Sequence, residues 1–189
     1  MKKLTNLLFF SSLTLACICA KAQSQDDMKS MMAYMTPGDL HKMMAKSVGD
    51  WTGYITMWSA PGAQPTSMTG ESHNEMILGG RYLQGKNKGN MMGMPFEGIS
   101  VTGYDNAKKV FFNSWIDNMG TGMIFLEGQW DSKSNSIEFK GTMVDPSSGK
   151  DLPVREIMKI IDDNTQTLEM YTMAGGKEFK TMEIKYVKK

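Results

Sequence analysis

Ten short strand-like runs follow one another from Trp51 to the C-terminus, with turn chemistry and no helix between them. That succession constrains the fold more than any other feature of the sequence. The runs are Trp51–Ser59, Thr69–Leu78, Arg81–Lys86, Phe96–Tyr104, Val110–Asp117, Met123–Trp130, Ile137–Val144, Val154–Ile161, Thr167–Met173 and Glu178–Val187. Most alternate in polarity, the pattern of a strand with one buried face. Val154, Glu156, Met158 and Ile160, for example, oppose Arg155, Ile157, Lys159 and Ile161. Separators such as Ala60-Pro61-Gly62, Gly79-Gly80, Asp145-Pro146-Ser147-Ser148-Gly149 and Ala174-Gly175-Gly176 are turn formers of hairpin length. Parallel pairing would need crossover segments, and none is available. The sequence therefore predicts an all-β, antiparallel, up-and-down barrel of eight to ten strands, closed so that no strand edge is exposed. A barrel of that size has room for one small apolar ligand.

One short helix precedes the strands. Thr36 is the expected N-cap, Pro37 the first helical residue, and Asp39 a favourable first-turn charge. Leu40, Met43, Met44 and Val48 fall near one face, and Gly49 is the expected stop, giving a helix over 37–48. Residues 23–36 form a Met-rich arm that suits either a short helix or a loose segment. Residues 1–22 read as a secretory signal. Lys2 and Lys3 lead an apolar stretch from Leu7 to Ala16, too short to span a bilayer, and Ala20-Lys21-Ala22 offers small residues for cleavage. The expectation is an exported chain, periplasmic or extracellular, starting at Gln23, with a lipid anchor at Cys17 as the alternative. The barrel domain is then 37–189. Both cysteines, Cys17 and Cys19, fall within the signal, so the mature chain has neither disulfides nor thiolate chemistry. It keeps 18 cationic side chains against 20 anionic ones, which argues against a nucleic-acid surface.

Gly49-Asp50-Trp51, a Gly-x-Trp at the start of the first strand, resembles the opening of lipocalins and other calycins. A broader resemblance is carried by "GDLHKMMAKSVGDW", "MILGGRYL", "MPFEGISVTGYDNAKKVFFNSWIDNMGTGM" and "EGQWD". On these segments the chain resembles the bacterial domain-of-unknown-function family 1579. The resemblance implies a calycin-like barrel and no particular reaction, ligand or catalytic residue.

Candidate ligand contacts are Trp58, Arg81, Glu97, Tyr104, Asn113, Trp115 and Asp117, with Gly49 and Trp51 in structural roles. Phe111, Asn113, Trp115 and Asp117 share one strand face. Apolar walls with a few placed polar groups are how a binding cavity is lined, although a solvated outer face also carries polar residues. Arg81 could stack on Trp51 to seal a barrel end, or pair Glu71, Glu97 or a ligand carboxylate. Glu71-x-His73-x-Glu75 places three possible metal ligands on one face, where a solvated outer face is the better reading. Twenty methionines favour adaptable apolar packing over a Met-only copper site. Asn87 to Pro95 suggests an apolar lid over a cavity mouth. No nucleophile elbow, phosphate loop or dinucleotide fingerprint occurs. Acid–base work would need Glu71/Glu97 or Asp117/Glu127 to face one another. The sequence thus points to a ligand-binding barrel with no cofactor, metal or membrane span and with oligomeric state open. The alternatives are an envelope protein that binds a partner, or a hydrolase or isomerase using cavity carboxylates.

Overall fold

The computed structural model describes residues 25–189. The expected signal 1–22 and its two cysteines lie outside the described residues. Helix α1 covers 25–35 and belongs to a separate compact unit. Met28, Met31, Met32 and Met35 recur at helical spacing along it, and the Thr36 hydroxyl closes its end by donating to the Met32 carbonyl at 2.7 Å.

Helix α2 (Asp39–Ala45) opens the second unit. It is shorter than the expected 37–48. Gly38, not Thr36, is the N-cap, and its N–H donates to His41 Nδ1 at 3.0 Å. At the other end, the N–H groups of Lys46, Ser47 and Val48 each bond three residues back, tightening the last turn. Gly49 is already in the first strand, with φ of +120°. A β-carbon there would approach Lys188 Cε to 3.1 Å, so both backbone angle and space favour glycine.

The strands are β1 (Gly49–Met57), β2 (Thr66–Ile77), β3 (Tyr82–Met91), β4 (Met94–Asp105), β5 (Val110–Asp117), β6 (Ile124–Asp131), β7 (Ser136–Val144), β8 (Asp151–Asp162), β9 (Thr165–Ala174) and β10 (Lys177–Lys188). Each pairs antiparallel with the next, and β10 returns to β1, closing the barrel. The expected meander is therefore complete, at ten strands. One expectation is corrected. Asn87 to Pro95 is no lid, since β3 and β4 continue in register through Asn87↔Gly98 to Met91↔Met94. Only Met92 and Gly93, both at positive φ, make the turn, as a tight hairpin requires.

Inside, one part of the barrel is filled and another is not. Phe111, Leu126, Ile137, Phe139 and Val154 pack with Leu83 and with Met44 of α2, all below 9% exposure. On β1 to β3, by contrast, the inward positions include Gly53, Gly70 and Gly89. Small residues there leave space that large ones occupy across the barrel.

Candidate ligand cavity

That space is a cavity of about 350 Å³. Ile55, Met57, Met68, Met91, Phe96 and Ile124 line it apolarly, joined by Leu168, Met170, Met182 and Ile184 from β9 and β10. Polar groups are few and placed, among them Ser100, Thr102 and Asn113. Asn113 donates its amide to Thr102 Oγ1 at 2.8 Å.

The end bearing α2 is closed. Trp51, 1% exposed, donates Nε1–H to the Ser47 carbonyl at 2.9 Å. Asn74 donates to the same carbonyl at 3.1 Å, and Gln166 Nε2 reaches Ser47 Oγ at 2.8 Å. One buried serine thus ties the segment after α2 to β1, β2 and β9. His41 is also buried, its ring edge-on to Tyr104 at 6.0 Å. Its Nδ1 accepts from Gly38 N–H and it also hydrogen-bonds the Tyr104 backbone. Burial holds its pKa below the ordinary value, with Arg81 nearby adding to the effect, so it plugs this end as a neutral ring.

Three of the residues chosen from sequence meet at the cavity: Asn113, Trp115 and Asp117. Trp115 Nε1–H donates to Asp117 Oδ2 at 2.7 Å, and Asp117 Oδ1 accepts from the Met119 N–H at 2.9 Å. The indole stacks on Phe96, with centroids 6.2 Å apart and 19° between planes. Inward-facing Gly98 makes this geometry possible, since a β-carbon there would stand 2.4 Å from Trp115 Cζ2. Trp51 lines the floor.

The other choices sit elsewhere. Tyr104 packs against Phe111 at 4.8 Å, beyond the cavity floor. Arg81 Nη1 donates to the Leu78 carbonyl in the β2–β3 turn, and the cation over Trp51 is Lys188, 5.3 Å from the ring centre. Glu97 is on the outer face, 3.6 Å from Lys88. Trp58 follows β1 and carries Lys180 Nζ 5.3 Å above its ring. Gly49 holds the start of β1, as described. The Glu71, His73 and Glu75 triplet faces outward, each residue with its own partner: Lys189, Asp50 and Lys86. Among the described residues no cluster of His, Asp and Glu is placed to hold a metal ion. Glu127 is also external, near Lys108, so Asp117 does not share the cavity with it.

The sequence reading did not choose Ser47, Gln166, Glu156 or Tyr186, and all four line the cavity. Glu156 left a visible signal, a single carboxylate on the apolar face Val154, Met158, Ile160. Burial alone pushes its pKa up to about 7. Burial also raises that of Tyr186, and the neighbouring Glu156 adds to the shift.

A family model described as "Protein of unknown function (DUF1579)" matches residues 36–188. The chain belongs to this family. The match takes in α2 and the whole ten-strand barrel. Among solved structures, the crystal structure of Rv2717c from M. tuberculosis is similar, with a TM-score of 0.61 at 11% identity. The alignment covers 82% of this chain and 99% of that one, and it speaks for the fold. No curated protein matches the sequence. Among the described residues, no helix is long and apolar enough to cross a membrane.

Proposed function

We propose that this family member is an exported carrier that holds one small, mainly apolar molecule inside the barrel. The observation that supports it best is the cavity of about 350 Å³, apolar in most of its wall and punctuated by a few oriented polar groups. A pocket of that size and character is typical of small-molecule sites. By contrast, Phe111, Leu126, Ile137 and Val154 are buried against one another, so the interior is not hollow throughout. Export is supported by the signal-like segment 1–22.

Native mass spectrometry of the protein purified from its own host's envelope tests both points. The expected result is a polypeptide beginning at Gln23 with a discrete excess mass that disappears on denaturation. An unprocessed chain would overturn export. A bare polypeptide mass, unchanged after incubation with an envelope extract, would overturn the carrier reading.

A second reading has one observation in its favour. Met28, Met31, Met32 and Met35 give α1 an adaptable apolar stripe suited to a protein partner. If partner binding is the role, deleting residues 23–35 abolishes co-purification of a defined envelope protein.

A further inference from the structure

The cavity's polar groups narrow the chemistry of what it holds. Five ionisable side chains touch it: Glu71, Lys88, Asp117, Glu156 and Tyr186. Glu71 and Lys88 stand at the rim on outward-facing positions, engaged by Lys189 and Glu97. Asp117 already spends its two oxygens on Trp115 and Met119. Glu156 and Tyr186 remain. They come from β8 and β10, deep in the barrel, and lie close enough to interact electrostatically. Among the described residues neither has a hydrogen-bond partner, and no cation offsets the burial of the Glu156 carboxyl. Both are nevertheless bordered by open cavity rather than sealed in, because no buried polar side-chain atom among the described residues lacks a partner.

Such a pair is costly unless something completes it. β7 and β9 flank β8 and turn Phe139, Leu168 and Met170 toward the same space. Neither strand supplies a countercharge. Among the described residues no Arg lines the cavity, and the one Lys that does is the rim residue Lys88. A carboxylate or phosphate ligand would therefore meet acids and no deep cation. An ammonium would meet the reverse: a carboxyl without a partner and a phenol oxygen able to accept.

We propose that the cavity selects an apolar molecule bearing one basic amine, with Glu156 pairing the ammonium and the Tyr186 hydroxyl accepting a further N–H. The proposal rests on the carrier reading and names its ligand class. Its elevated pKa leaves Glu156 partly protonated near neutral pH, and an arriving ammonium favours the carboxylate. The acid proton then leaves to solvent.

Three probes of equal chain length separate the possibilities: decylamine, decanol and decanoate, titrated at pH 7.5 into the purified full chain by calorimetry. Decylamine is expected to bind about tenfold tighter than decanol, and decanoate about tenfold weaker. Glu156→Gln keeps the shape and removes the charge. It should bring decylamine to within about threefold of decanol, and a circular dichroism spectrum matching the parent's certifies the fold. Tyr186→Phe should reduce the amine preference by a smaller factor, about threefold. Decanoate binding as tightly as decylamine would overturn the proposal. An amine preference that survives Glu156→Gln would do the same. In either case decanol binding leaves the carrier reading standing. If none of the three probes binds, both readings fall together.

Discussion

The barrel interior has two regions built from the same alternating strands, and they differ in what fills them. Toward α2 and along β5 to β8, Phe111, Leu126, Ile137, Phe139 and Val154 meet at near-zero exposure. Along β1 to β3, Gly53, Gly70 and Gly89 withdraw side-chain volume, and the cavity lies against them. Both regions belong to one closed antiparallel ladder. The difference shows that strand pairing fixes the shell, while side-chain volume on inward positions decides whether the shell is solid or hollow.

Truncation should cost most in the solid region. Phe111→Ala is expected to destabilise by about 3–5 kcal/mol, because the vacated volume stays empty. Met68→Ala, which enlarges an existing space, should cost about 1–2 kcal/mol. Chemical denaturation of the two variants measures both. Equal losses would mean that the hollow side is packed in solution, and the contrast would be gone.

The two regions should also respond to pH in opposite senses. Glu156, in the cavity wall, has its pKa raised from 4.5 to about 7 by burial. The folded state therefore binds the extra proton between those values. The corresponding stability is full below pH 4.5 and is lost as pH rises through about 7, at most about 3 kcal/mol. Tyr186 and Asp117 are the titratable groups that share its space. Glu156→Gln should be more stable than the parent at pH 8 and equal to it at pH 4. His41, at the closed end beside Arg81 and Tyr104, has a lowered pKa. Its contribution is full above about pH 6.5 and declines as the pH falls below that value. Thermal midpoints of the parent and of Glu156→Gln across pH 4–8 resolve the two limbs. A parent curve as flat on the alkaline limb as the variant's would refute the assignment to Glu156.

Ser47 joins the closed end to three strands. Ser47→Ala leaves Gln166 short of its acceptor and should cost about 1–3 kcal/mol by denaturation. A loss within experimental error would show that this end is not held by the Ser47 side chain. The smallest effect belongs to the rim. Glu97→Ala removes an exposed partner of Lys88 and should change stability by less than about 0.5 kcal/mol, with less change still at high salt. A larger cost would mean that the rim, and not the interior, carries part of the structural load.

How much of this was readable beforehand depended on whether the signal was local. All ten strands were legible because alternation and turn residues are local properties. The shortfall at β3 is instructive. Asn87, Lys88, Gly89 and Asn90 look like a loop, yet Asn87 and Gly89 are wall residues of a polar-spotted cavity and Lys88 faces Glu97 outside. Asn113, Trp115 and Asp117 were found because tryptophan beside acid and amide on one face is unusual. Glu156 was equally visible in its apolar strand, but period alone does not say which face turns inward. Ser47 carried no signal, since its three attachments come from residues as distant as Gln166.

Closure has a further consequence for how the chain reaches its final form. The seam that completes the ring joins Trp51 to Lys188, nearly the first and last ordered residues of the barrel. Contacts so remote in sequence carry a high closure entropy and slow the search. Until the final strand is delivered, nine strands expose two unpaired margins, the arrangement from which edge-to-edge association starts. During synthesis the ring therefore depends on β10, and without that strand β1 and β9 become open edges available for association.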